Sequence, residues 1–194
     1  MMSAASAGGV MALLAQQLAA FLALLLLASG LHKLLRRGRA QSVMREFAGL
    51  PRTLAPIAVI AVAAAEGIAG VMLLTPTYRA QGGAVAALIW AAYLGLILRA
   101  MAQGRRDVDC GCTFGTAHPP LGAFQVARNA ALAAMAALVA IGGMMAVGVP
   151  AAMGLTVDGS VIASRILAAL TLAALYGALE QVMALRPPRG GVLL

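Results

Sequence analysis

Five stretches of the chain, at about 10–31, 57–75, 83–101, 130–149 and 161–185, are apolar for as long as a lipid bilayer is thick. A helix needs roughly 20 apolar residues to cross the hydrocarbon layer, and inside that layer only a helix or a closed barrel satisfies its own backbone polar groups. Apolar runs of this length, the first interrupted by Gln16 and Gln17, read as spanning helices. The expectation is an all-α, polytopic transmembrane helical bundle of four to five spans. It forms a single integral membrane domain over residues 1–194.

Composition agrees with that reading. Of the 194 residues, 62% are apolar and 10% charged, against roughly 45–50% and 25% in a soluble domain. The loops are too short for an aqueous domain or a nucleotide-binding sheet, so any chemistry must sit in the helices and their connections.

The positive charges give the spans a direction. The segment before the first span carries no Lys or Arg, which makes it a poor secretory leader, whereas Lys33, Arg36, Arg37, Arg39, Arg45 and Arg52 crowd the stretch after it. Cytoplasmic loops are the ones enriched in Lys and Arg. Five spans with the N-terminus outside and the C-terminus cytoplasmic put twelve of the 14 basic residues inside, leaving Arg79 and Arg165 outside. A net charge of +8 is therefore read as orientation and contact with anionic lipid. Nucleic acid is not an expected partner, because no basic recognition helix or aromatic single-strand platform accompanies the charge.

The fourth span can start at Leu121, but 130–149 is already long enough. The shorter choice lets Arg128 snorkel at the interface and makes 121–127 an interfacial or partly re-entrant turn. Small residues recur in the spans, with Gly67 and Gly70 on the second and Gly142 and Gly143 on the fourth. Such residues let helix backbones approach closely.

The richest string is Asp107-Val108-Asp109-Cys110-Gly111-Cys112-Thr113-Phe114-Gly115, which places the chain's two thiols side by side in a glycine-containing turn. A Cys-x-Cys disulfide closes a small ring, and ring strain raises its reducibility, which suits an exchanging pair better than a staple. Arg105, Arg106 and Arg128 favour a thiolate, while Asp107 and Asp109 oppose it or accept its proton. Two alternatives stay open. Cys110, Cys112 and His118 supply three of the four ligands that a closed zinc site usually takes, or both cysteines are unreactive.

Glu66 falls at the middle of the second span, the costliest depth for a carboxylate, so it should face the bundle interior with a partner. It either joins helices as a structural acid or relays protons beside the thiols. Glu180, near the inner end of the last span, is level with Arg128, which leaves an ion pair or an ordinary interfacial charge. Ser29, His32 and Lys33 reach the same inner face. Trp90 and Tyr93 read as packing residues.

Several of these features together resemble the methylamine utilisation protein MauE family over about 25–140. They are Ser29-Gly30 followed by Lys33, Glu66 with Gly70, Asp109-Cys110-Gly111-Cys112 with Gly115, and Arg128-Asn129. One departure is that many members look like Cys-Gly-Cys-Phe-Gly, whereas Thr113 here precedes Phe114. The resemblance implies a bacterial inner-membrane bundle related to DoxX-like and vitamin K epoxide reductase-like proteins. It implies an accessory role in maturing methylamine dehydrogenase, whose small subunit carries many disulfides and a tryptophan tryptophylquinone. It also implies work alongside MauD, a periplasmic thioredoxin-like protein. Carried over by position, Cys110 and Cys112 are the exchanging pair, and Lys33, Glu66, Arg128 and Asn129 are pattern residues.

Charge bias puts the thiols on the cytoplasmic side while the client folds in the periplasm. Three arrangements reconcile the two: an electron relay fed by a cytoplasmic thioredoxin-type donor, a loop that dips between helices and is reached from the far side, or an inverted topology. The relay is the first choice because it keeps the charge rule, and since one pair of thiols cannot span a bilayer it needs a second carrier, a quinone or a partner cysteine. No tightly bound cofactor and no metal are expected. A non-catalytic scaffold for the thioredoxin-like partner or the immature small subunit is the alternative. A transporter is a third class, but no repeat with discontinuous helices supports it.

Overall fold

The computed structural model describes residues 4–105, 121–145 and 159–184. Over these the chain is helical, with no strand among the described residues. The helices are α1 (Ala4–Leu35), α2 (Arg37–Glu46), α3 (Ala55–Leu74), α4 (Arg79–Ala102), α5 (Ala123–Met145) and α6 (Gly159–Ala184). Among the described residues, Leu14–Leu35, Ala55–Leu74, Pro76–Ala102 and Ala123–Met144 are long and apolar enough to cross a membrane, and α6 adds a shorter apolar stretch at Ile166–Val182.

The sequence marks the boundaries of α3 with prolines. Pro56 occupies the first turn, where its missing N–H costs nothing. Pro76 pushes Thr75 into an extended conformation and ends the helix, after which a 3-10 turn at Pro76–Tyr78 leads into α4. At the far end of α4, Gly104 adopts φ +71°. Its N–H meets the Met101 carbonyl at 3.0 Å and the Arg105 N–H meets that of Ala100 at 3.0 Å. Those paired bonds form a Schellman cap, which glycine allows because it has no Cβ to clash at positive φ.

The packing is that of a protein in lipid. Along α3 the buried stripe is Val59, Ala63, Glu66, Ala69, Gly70 and Leu73, whereas Ile57, Ile60, Ile68, Val71 and Leu74 are exposed. Small side chains face the neighbours and large ones face outward, because hydrocarbon accepts leucine and isoleucine as readily as a core does. Helices α1, α3, α4 and α5 pack together around Leu22, Leu26, Leu73, Trp90, Ala136 and Val139. Trp90 is thus a packing residue, as expected.

Close approach is tightest at Gly82, where a Cβ would lie 2.7 Å from the Leu73 backbone nitrogen, and nearly as tight at Gly83. A Cβ there would lie 2.8 Å from the Ala140 backbone nitrogen, so glycine sets the α4–α5 spacing. Gly70 and Gly143 also sit against neighbours, while Gly67 and Gly142 meet nothing within 4 Å.

Two expectations are corrected. The fourth long helix, α5, begins at Ala123, about two turns before the expected span, so most of 121–127 is helix and not a re-entrant turn. The Gln125 side-chain oxygen accepts the Gly122 N–H at 3.0 Å and serves its otherwise unsatisfied first turn. The basic stretch after α1, expected as loop, contains α2. Its end is tied down by Arg105, which donates to the Glu46 carbonyl, and by Phe47, which is buried against Ile97, Ala100 and Leu121.

Candidate functional site

Among the described residues the bundle interior carries two buried ion pairs, and the first is built around Glu66. Its side chain is wholly buried in the middle of α3. Lys33 turns inward from the last turn of α1 and donates to both carboxylate oxygens, at 2.8 Å and 2.9 Å. Ser29, one turn earlier on the same face, donates to Oε1 at 3.0 Å and accepts from the Lys33 ammonium at 2.6 Å. The Tyr93 hydroxyl on α4 donates to the same Oε1 at 2.6 Å, and the Lys33 nitrogen lies 5.4 Å from the centre of its ring.

Gly30 makes this geometry reachable. A Cβ at that position would come within 3.0 Å of the Ala63 carbonyl oxygen, so α1 and α3 touch where the carboxylate sits. All three ammonium hydrogens of Lys33 have acceptors and both Glu66 oxygens have donors, which is the condition for a buried pair to repay its desolvation.

The second pair joins α5 to α6. Arg128 Nη1 donates to Glu180 Oε1, with side chains 5% and 7% exposed. Asn129, beside it and 1% exposed, donates its side-chain amide to the Gln125 carbonyl at 2.9 Å. Arg128 is therefore buried and paired inside the bundle, not snorkelling as expected, because the level of Glu180 offers a partner that lipid does not.

A polar cavity lies between the two pairs. Ser29, Glu66, Tyr93, Arg128 and Asn129 line it, together with apolar side chains that include Trp90 and Leu132. It has about 30 Å³ of room for the centres of water molecules, more than the roughly 10–15 Å³ that one water requires. Ordered water there would connect Glu66 with Arg128 through groups that can each donate or accept.

Of the expected site residues, Lys33 and Glu66 form one cluster, and Arg128, Asn129 and Glu180 form the other. Cys110, Cys112 and Asp109 lie outside the described residues, as does His118 of the alternative metal set. Tyr93, expected as packing alone, is a ligand of Glu66. A tyrosine in mid-span needs a partner for its hydroxyl, and that was the signal in the sequence. Gln125 left no comparable signal, since its role depends on where α5 begins.

The family model described as Methylamine utilisation protein MauE matches residues 11–142. No curated protein and no solved structure gives a match.

Proposed function

The chain belongs to the methylamine utilisation protein MauE family, a multi-pass membrane accessory of methylamine utilisation, and from that premise we propose that it exchanges disulfides through Cys110 and Cys112. The observation that carries this proposal is that both thiols fall inside the matched residues 11–142. The segment bearing them joins α4 to α5, the helices that bring Tyr93, Arg128 and Asn129 to the polar cavity.

In the exchange, the thiolate of one cysteine attacks a partner disulfide. The partner S–S bond breaks, a mixed disulfide forms and one partner sulfur leaves as thiolate. The second cysteine then attacks the mixed disulfide and releases the other partner sulfur. Two electrons pass to the partner, each departing thiolate takes a proton from solvent, and Cys110 and Cys112 become joined. The reverse sequence oxidises the partner.

The partners proposed are a thioredoxin-like periplasmic protein and the immature small subunit of methylamine dehydrogenase. The location proposed is the bacterial inner membrane, with the N-terminus outside and the C-terminus in the cytoplasm. Arg36, Arg37, Arg39, Arg45 and Arg105 gather at one end of the bundle and support that orientation. A quinone is the proposed second carrier where electrons must cross the membrane. Lys33, Glu66 and Tyr93 act as positioning residues that fix α1, α3 and α4 against one another.

A non-catalytic anchor is the competing proposal, favoured by the saturation of Glu66, which leaves the described interior with the character of a rigid scaffold. Replacing Cys110 by Ser separates the two. Exchange predicts loss of active dehydrogenase and altered mixed disulfides with the protein that meets the thiols on their own side of the membrane. Full maturation in that variant and in a Cys110→Ser/Cys112→Ser double variant would leave only the anchor. Labelling the thiols in intact cells with a membrane-impermeant reagent, with and without reductant, reads their side and their redox state together.

A further inference from the structure

The polar cavity between the two ion pairs is a place that every long helix reaches. Ser29 comes from α1, Glu66 from α3, Tyr93 from α4, Asn129 from α5 and Tyr176 from α6. Glu66 and Asn129 are 0% and 1% exposed, so polar groups withdrawn from the lipid converge there. Hydroxyls and amides of this kind each donate and accept, and a buried cavity stays dry only where its walls are apolar. Its 30 Å³ of room for water centres suits about two waters, at roughly 10–15 Å³ for each. An ion of either sign would have to shed its hydration shell to enter so small a space. A hydrocarbon chain end would leave the polar walls without partners.

We propose that this cavity is a hydration site and that its water couples the two ion pairs. On one side, the Ser29 and Tyr93 hydroxyls donate to the Glu66 carboxylate, and a hydroxyl oxygen that donates its proton can still accept from water. On the other, Asn129 is anchored by its amide nitrogen to the Gln125 carbonyl, beside the arginine that holds Glu180 of α6. Water between the two sides polarises both networks, and hydrogen bonds in series strengthen one another in a low-dielectric interior. The attachment of α6 at Glu180 is thereby felt at Glu66, although the two acids are bound to different cations. None of this depends on the thiol chemistry.

Asn129 is the single asparagine of the chain, so an isotope label on that residue type reports on the cavity alone. With the labelled full chain in bilayers, water-edited solid-state NMR should show magnetisation passing from water protons to the Asn129 side-chain amide. Leu132→Phe enlarges an apolar side chain that lines the cavity and keeps every polar group, and it should abolish the transfer. Leu26→Phe, entering from α1, should do the same, with helicity and elution volume checking that each variant folds. Coupling is read in the unfolding constant of the parent chain in detergent. Ser29→Ala and Glu180→Gln combined should depart from the product of their separate effects by more than about threefold, whereas sites that share no partner stay within about twofold. In the Leu132→Phe background the same cycle should return to within about twofold. No transfer to Asn129 in the parent, or transfer that survives both filling variants, would overturn the hydration site. Multiplicative effects in the parent would overturn the coupling.

Discussion

The four helices α1, α3, α4 and α5 and the final helix α6 are both apolar, yet they are held very differently. The four share a buried centre in which backbones touch at Gly30 and Gly83 and a carboxylate is saturated by three neighbours. Helix α6 packs mainly on α1, where Phe21 and Tyr176 meet edge to face at 6.1 Å. Among its described residues only Ala169 and Glu180 are buried, while Leu167, Leu170, Leu175 and Leu179 are exposed. The family match ends at residue 142 and so stops short of α6. A polar group can therefore be a core fixture or a peripheral latch in one molecule, according to how many neighbours share it.

The sharpest way to break that comparison is to strand a charge on each side of it. Glu66→Leu leaves Lys33 buried without its counter-ion and should cost about 3–5 kcal/mol, read as a lowered unfolding midpoint in detergent. A Lys33→Met/Glu66→Leu double variant should recover much of that loss. A double variant no better than the single would mean that the pair does more than balance charge.

Tyr93→Phe should cost about 1.5–3 kcal/mol, the worth of a hydrogen bond to a charged group, and a neutral result would remove Tyr93 from the cluster. Glu180→Leu should cost less than Glu66→Leu, about 1–3 kcal/mol. Arg128 lies in the second turn of α5, from which a guanidinium can reach the interface. Equal losses in the two leucine variants would erase the distinction between core and latch. Leu175→Ala, on the outward face of α6, should change the midpoint by less than about 0.5 kcal/mol. A larger effect would mean that this face is covered by protein.

Much of the bundle is legible in the sequence, because an unbroken apolar run has few alternatives in lipid. The need of Glu66 for a partner is legible too, from depth alone. The identity of the partner is not, since Lys33 stands first in a run of basic residues that all read as surface loop, and only the contact at Gly30 turns it inward. Arg128 is legible in part, since its level match with Glu180 offers the ion pair that forms, whereas its burial is missed. Snorkelling is the sound inference for an arginine near a span end, and a buried partner 52 residues away overrides it. Helix α2 escapes notice because its polar, basic composition resembles a connection until Phe47 is seen to dock.

The two ion pairs also differ in when they can first exist. Lys33 and Glu66 are 33 residues apart on the first two long helices, so an emerging hairpin carries its own neutralisation into the bilayer. Arg128 must await Glu180, 52 residues later. At roughly 5–20 residues per second that wait is about 3–10 s, during which Arg128 has yet to meet Glu180. Helix α6 thus completes the second pair, and a ribosome stalled before it would leave α1, α3, α4 and α5 without Glu180 beside Arg128.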